Sequence, residues 1–190
     1  MTTTTTPLAT GTWTGDPVHS DISFIVRHMG VGKVRGTFAL ASATLTVGQD
    51  GAPSSAITAV IDAASVRTGN DQRDDHIRSA DFLDVATYPT FEFTSTEVRD
   101  GDGYGYGDTF VLVGDLTLHG VTRGVELAAE FLGVVADPSG VDRTGFSATT
   151  TISRAAFGVD IQLAFGAGNV VVGDTIGIAI EIEFTSAESA

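Results

Sequence analysis

Ile176, Ile178, Ile180, Ile182 and Phe184 occupy every second position of DTIGIAIEIEFT, with Glu181 and Glu183 between them. A period of two sends one set of side chains to one face of a strand and the other set to the opposite face. The pattern recurs along most of the chain. Ile22, Phe24, Val26 and His28 share a face in DISFIVRH. In VRGTFALASATLTV, Val34, Phe38 and Leu40 share one face, and Leu45 and Val47 fall on the other. Ile57, Ala59 and Ile61 are in phase, as are Phe91 with Phe93, and Phe110 and Leu112 with Leu116 and Leu118. Val125, Leu127, Ala129 and Phe131 form another set, and Phe146, Ala148, Thr150 and Ile152 a further one. Turn signals at Gly30/Gly32, GQDGAPS, DGDGYGYGD, His119-Gly120 and DPSG separate these runs. About eight or nine strands follow, many of them long. Long antiparallel strands must stack as two sheets or close as a barrel, because open edges aggregate.

Composition narrows the function classes. The chain has 190 residues, is 42% hydrophobic and 18% charged, and fits one folded domain. A net charge of −14 argues against nucleic acid and against an anionic membrane surface as partners. The absence of cysteine excludes disulfides and thiolate chemistry. MTTTTTPLATGTW has no basic or apolar signal region, and no apolar run is long enough to span a bilayer. A cytoplasmic protein without a transmembrane segment is therefore expected, with residues 1–10 as a disordered tail and 11–186 as the folded unit.

One stretch breaks the alternation. TGNDQRDDHIRSADFLDVATYP gathers Asp71, Arg73, Asp74, Asp75, His76, Arg78, Asp81 and Asp84. Asn70 suits an N-cap, with Asp71 and Asp74 in the positive first turn. Ser79 suits the cap of a second short turn. Asp74 and Asp75 lie four and three residues before Arg78, the spacing of helical ion pairs. A polar helix followed by Phe82, Leu83 and Val85 reads as a lid over an apolar plug.

The blocks HSDISFIVRHMGVGKVRGTF, SVRTGNDQRDDHIRSADFLDVATYPTFEF, GDLTLHGVTRGVEL and ISRAAFGV resemble, in order and spacing, the YceI-like family, also described as polyisoprenoid-binding and lipocalin-like. The resemblance runs from Trp13 to Phe184. The family's Asp-x-His-Leu reads Asp74-Asp75-His76-Ile77 here. It implies an all-β, antiparallel, lipocalin-like barrel of about eight long strands, with short helical lid segments and an elongated apolar tunnel. It also implies that the tunnel binds and sequesters or carries a long amphiphile: an isoprenoid quinone, a polyprenyl diphosphate or a fatty-acyl derivative. Each buried methylene contributes roughly 0.8 kcal/mol, so such a chain needs few polar contacts.

On that basis the expected tunnel wall comprises Phe24, Val26, Phe38, Phe82, Leu83, Phe91, Phe93, Leu116, Leu118, Phe131, Phe157, Ile178 and Ile180. The alternative for its aromatics is an ordinary core. Arg27, His28, Arg73, His76, Asp81, His119 and Arg154 are expected at the rim or head group. Arg154 suits either an anion anchor or a charge pair holding a chain crossing. His28, His76 and His119 would form a metal site only if closure gathered them, and no metal is expected. The Asp100–Asp108 loop has calcium-like spacing at Asp100, Asp102 and Gly105. Tyr104 and Val111 stand where ligands are needed, so it reads as a hairpin loop. No cofactor is required beyond a bound isoprenoid or fatty-acyl lipid. The partner is a lipid-like small molecule, with a homodimer left open. No nucleophile elbow, phosphate loop or zinc-protease motif is present, so an enzyme is not expected. The alternatives are a metal- or stress-linked binding module and, behind it, an enzyme using a rim His/Asp cluster.

Overall fold

The computed structural model describes residues 7–101, 105–165 and 169–186. Its elements are β1 (Gly11–Gly15), β2 (Asp21–His28), β3 (Gly32–Gly48), β4 (Gly51–Arg67), α1 (Asp71–Arg78), β5 (Thr90–Arg99), β6 (Thr109–Leu118), β7 (Val121–Ala136), β8 (Asp142–Ser153), a 3-10 turn (Ala155–Phe157), a small hairpin of β9 (Ala164–Phe165) and β10 (Asn169–Val170), and β11 (Val172–Ser186). Strands β2 to β8 pair antiparallel in chain order. β11 pairs with both β8 and β2 and closes an eight-stranded barrel. β1 continues the line of β2: it pairs with the far ends of β3 and β11, so one stave is built from two strands in series.

Closure fixes the inside, and the bulges decide which residues reach it. The β3–β4 register shifts between Leu40 and Ser42, leaving Ala41 and Ser42 both exposed. An extra residue on one strand inverts the alternation beyond it. Leu45 and Val47, each 4% exposed, therefore join Val34, Phe38 and Leu40 on the inner side and do not form an opposite face. A second shift, between Phe131 and Val134 against β8, likewise returns Val134 to the interior.

The two ends of the barrel differ. At one end Trp13, Leu45, Val47, Phe131, Phe146 and Phe184 form a packed core. The Phe131 and Phe146 rings lie 5.3 Å apart, and Phe146 and Phe184 6.1 Å apart. Leu8 packs against this cluster, and Trp13 Nε1–H donates to the Ala9 carbonyl at 3.0 Å. The folded unit thus begins before residue 11, because the indole needs an acceptor when buried. Thr2–Thr6, assigned to the disordered tail, lie outside the described residues, as do Asp102 and Tyr104 of the calcium-like loop. The other end carries the β2–β3 and β6–β7 turns, residues 68–89 between β4 and β5, and the 154–171 crossing.

Candidate ligand-binding site

A cavity of about 460 Å³ runs down the barrel interior. Its wall follows β11 from Val172 to Ile182, about 25 Å at ordinary strand rise and barrel tilt. The lining is almost wholly aliphatic and aromatic. Phe24, Val26, Phe38, Phe91, Phe93, Leu116, Leu118, Ile178 and Ile180 all face it, and Phe82 and Leu83 enter it from the lid. Phe24, Phe38 and Phe91 form a continuous aromatic strip with centroid separations of 5.4 and 5.2 Å. Two glycines keep rings against the wall. A Cβ at Gly36 would lie 2.5 Å from the Phe24 ring, and one at Gly114 2.4 Å from the Phe93 ring. The hydroxyls within the wall are already engaged with backbone: Thr150 Oγ1 donates to the Glu126 carbonyl at 2.7 Å and Ser55 Oγ to that of Gly51 at 2.8 Å.

Two expected wall residues lie elsewhere. Phe131 is fully buried in the packed end. Phe157 is 2% exposed in the turn after β8 and does not line the cavity. Phe131 satisfies the alternating pattern but meets a filled interior, whereas Phe157 is buried in a turn outside the strands. Sequence reading missed Phe110, Leu112, Leu127 and Phe146 as wall residues, although their alternation had marked them as inward-facing.

The lid is assembled from local sequence. The Asn70 side chain caps α1 by accepting from Arg73 N–H at 2.9 Å. Asp74, expected to pair with Arg78, instead turns inward, 5% exposed, and accepts the Thr68 N–H at 2.9 Å and the Thr68 hydroxyl. Burial pushes its carboxyl up, but these bonds outweigh that and hold it below the usual carboxylate range. Arg78 ties the helix to the end of β4, donating to the Ala64 and Val66 carbonyls, each at 2.7 Å, and it pairs with Asp75 at 3.0 Å as the spacing indicated. Beyond the helix, Leu83 N–H donates to the Ile77 carbonyl and Val85 N–H to that of Arg78, folding the plug back beneath α1. Phe82 and Leu83 meet Ile61, Ala63, Phe91 and Val159 there.

The mouth carries the polar groups. Arg73 and His76 of α1, with His28 of β2, border the cavity. Thr68 fixes the Arg73 guanidinium, accepting from Nε through its hydroxyl at 2.7 Å and from Nη2 through its carbonyl at 2.9 Å. His76 Nε2 lies 3.1 Å from Asp81 and its ring stands edge-on to Phe82. Asp81 therefore orients a rim residue and does not itself border the cavity. Arg27 reaches the mouth, but it alternates with Val26 and His28 and sits exposed on the outer face, opposite Lys33.

His119 and Arg154 take other roles. His119 has φ 51° and precedes Gly120 at φ 72°, the left-handed pair of a tight hairpin. Its ring packs against that of Tyr88 at 4.6 Å with a tilt of 60° and does not border the cavity. The three histidines are not gathered. Among the described residues, the one set whose ligand atoms converge is Asp16, His19 and Glu183 at the packed end, where Arg143 already binds both acids. Arg154 does border the cavity, but its Nε, Nη1 and Nη2 donate to the carbonyls of Gly173, Val159 and Val172 at 3.0, 2.6 and 3.3 Å. It holds the chain crossing through backbone acceptors and forms no ion pair among the described residues.

The YceI-like domain model matches residues 13–184, nearly the whole barrel. The chain belongs to the YceI-like family. It is 40% identical over 145 residues to a UPF0312 protein of Vibrio vulnificus, covering 76% of this chain and 74% of that protein. The crystal structure of the YceI protein of Campylobacter jejuni is similar at TM-score 0.66 and 27% identity, covering 85% of this chain and 90% of that one. A polyisoprenoid binding domain from Saccharophagus degradans shares the fold at TM-score 0.68 and 18% identity, covering 92% of this chain and 98% of that one. No helix among the described residues is long and apolar enough to cross a membrane.

Proposed function

We propose that this YceI-like protein binds one long-chain amphiphile, with its apolar tail along the barrel and its polar head at the mouth. The observation that carries this reading is the continuous apolar cavity whose polar border lies at one end. Its volume is within the range of small-molecule sites, and its length suits a slender chain. With the wall hydroxyls engaged by backbone, the interior selects by shape and apolar area. The head group is selected at the mouth by Arg73, His76 and His28, where a cation and two imidazoles suit an anionic or carbonyl-bearing group. An isoprenoid is the favoured tail, in keeping with the polyisoprenoid-binding relative. The role is sequestration or carriage, without a chemical step. Native mass spectrometry of the purified protein, followed by solvent extraction, tests this. A stoichiometric adduct that extracts as a lipid is expected. Identical native and denatured masses, with no thermal shift on adding isoprenoid quinone or fatty amide, would sink the proposal.

A further inference from the structure

The chain carries 24 acidic residues, yet none lies between Asp21 and Asp50. This acid-free stretch spans most of β2 and β3 and the turn between them, which stands at the cavity mouth. The β2–β3 pairing sets Arg27 directly opposite Lys33. Arg35 lies on the same outer face, and Arg67 of β4 stands opposite Thr37 beside it. All four are exposed and form no ion pair among the described residues. Three acids at this end are engaged elsewhere: Asp75 by Arg78, Asp81 by His76 and Asp174 by the Ala155 N–H. Like charges facing each other across two strands weaken the pairing, so stability alone does not account for this strip.

The tip beyond the strip is apolar and uncovered. Val31 is 89% exposed and Met29 40%. Met29 N–H donates to the Val171 carbonyl at 2.9 Å, and Val171 N–H to that of Leu163 at 2.8 Å. Leu163, 36% exposed, therefore continues the same lip, and Leu163 and Val171 border the cavity.

We propose that this lip docks on an anionic lipid bilayer, with Met29, Val31 and Leu163 entering the interface and Arg27, Lys33, Arg35 and Arg67 on the headgroups. A bilayer matches both features at once: apolar depth at the tip and negative charge beside it. The net charge of −14 does not prevent this: Asp16, Asp50, Asp108, Asp137 and Asp142 sit at or near the opposite end of long strands, and the acids at this end, Asp71, Asp75, Asp81, Asp84, Asp160 and Asp174, lie on the lid, the crossing and β11 and not on the β2–β3 strip. At physiological salt, exposed charges more than about 8 Å apart are largely screened. The local strip then decides the encounter. The inference builds on the cavity reading, since it puts the portal against the phase that supplies amphiphiles.

Vesicle flotation of the full chain tests this, comparing equimolar phosphatidylglycerol and phosphatidylcholine with phosphatidylcholine alone. Binding is expected on the anionic vesicles, weakening as salt rises. Arg27→Gln with Lys33→Gln should weaken it about 25-fold, from about fivefold per charge removed. Met29→Ser with Val31→Ser should weaken it about tenfold, through lost apolar insertion. Both double variants change exposed side chains, and their melting curves should match the parent. Should either fail to fold, the salt dependence of the unmodified protein still decides. Equal binding to both vesicle types, no binding, or unchanged binding by both variants would overturn the proposal. So would self-association that the same substitutions abolish without vesicle binding, which would assign the lip to the acidic end of a second copy. Native mass spectrometry of the same samples reads cavity occupancy independently, so failed docking and an empty cavity are distinguishable.

Discussion

At the packed end of the barrel, Trp13, Phe131 and Phe184 are 2%, 0% and 0% exposed and leave no room between them. At the lid end, Phe38, Phe82, Phe91 and Phe93 are equally aromatic but stand around open space. The same alternating strands run through both ends. What differs is whether opposing side chains meet at the axis. Where they meet, stability accumulates. Where glycines and the Phe82–Leu83 plug hold them apart, binding space remains. The electrostatics divide in the same way. At the packed end Arg143 ties Asp16, Asp137 and Glu183 together across the β1–β2 loop, the β7–β8 turn and β11. At the lid end the cations of β2 and β3 have no such partners among the described residues.

The contrast can be broken first at its packed side. Phe131→Ala should cost about 3–5 kcal/mol, as for other buried aromatics, with ligand affinity of the folded fraction unchanged. Chemical denaturation alongside ligand titration checks both halves. Next is the anchor of the lid helix. Asp74→Asn removes a charged acceptor from beneath Thr68 and should cost about 2 kcal/mol. It should also flatten the acid limb of the stability curve. The carboxyl of Asp74 is held below its usual value, so its contribution is present above the unfolded pKa near 4 and is lost as pH falls through the folded value.

Phe82→Ala probes the plug itself. Its stability cost should fall below that of Phe131→Ala, at about 1 kcal/mol, because the site borders a cavity and not a filled core. Ligand release should be about tenfold faster, a barrier change near 1.4 kcal/mol. A loss as large as that of Phe131→Ala, with an unchanged off-rate, would show that the lid merely closes a core. The smallest effect is expected at Arg143→Gln. Arg143 and then His19 hold the Asp16 carboxyl well below its usual range. At Asp137, the Ser139 hydroxyl is the largest influence, with Arg143 adding to it, and the carboxyl falls to about 2. Both contributions are complete above about pH 4 and fade as pH falls toward 2. The variant should therefore lose less stability than the parent over that interval, a difference that thermal melts at stepped pH would show.

The sequence by itself determined the alternation within each unbroken run, the order of the turns, the capped helix at Asn70 and the apolar plug at Phe82 and Leu83. These depend on a period of two, on left-handed turn residues and on local capping, all of which act over a few residues. Only the tertiary structure decided that Phe91 lines a cavity and Phe131 fills a core. Periodicity states which side a residue faces, not what it meets there. The bulge after Leu40 reversed the phase of Leu45 and Val47, because register is a property of two paired strands and not of one. Closure assigned Arg154 to three backbone carbonyls and kept His119 away from His28 and His76. It also set Arg27 against Lys33, turning a chain with a net charge of −14 into one with a cationic lip. A net charge is a sum over residues, whereas a surface field depends on where folding puts them.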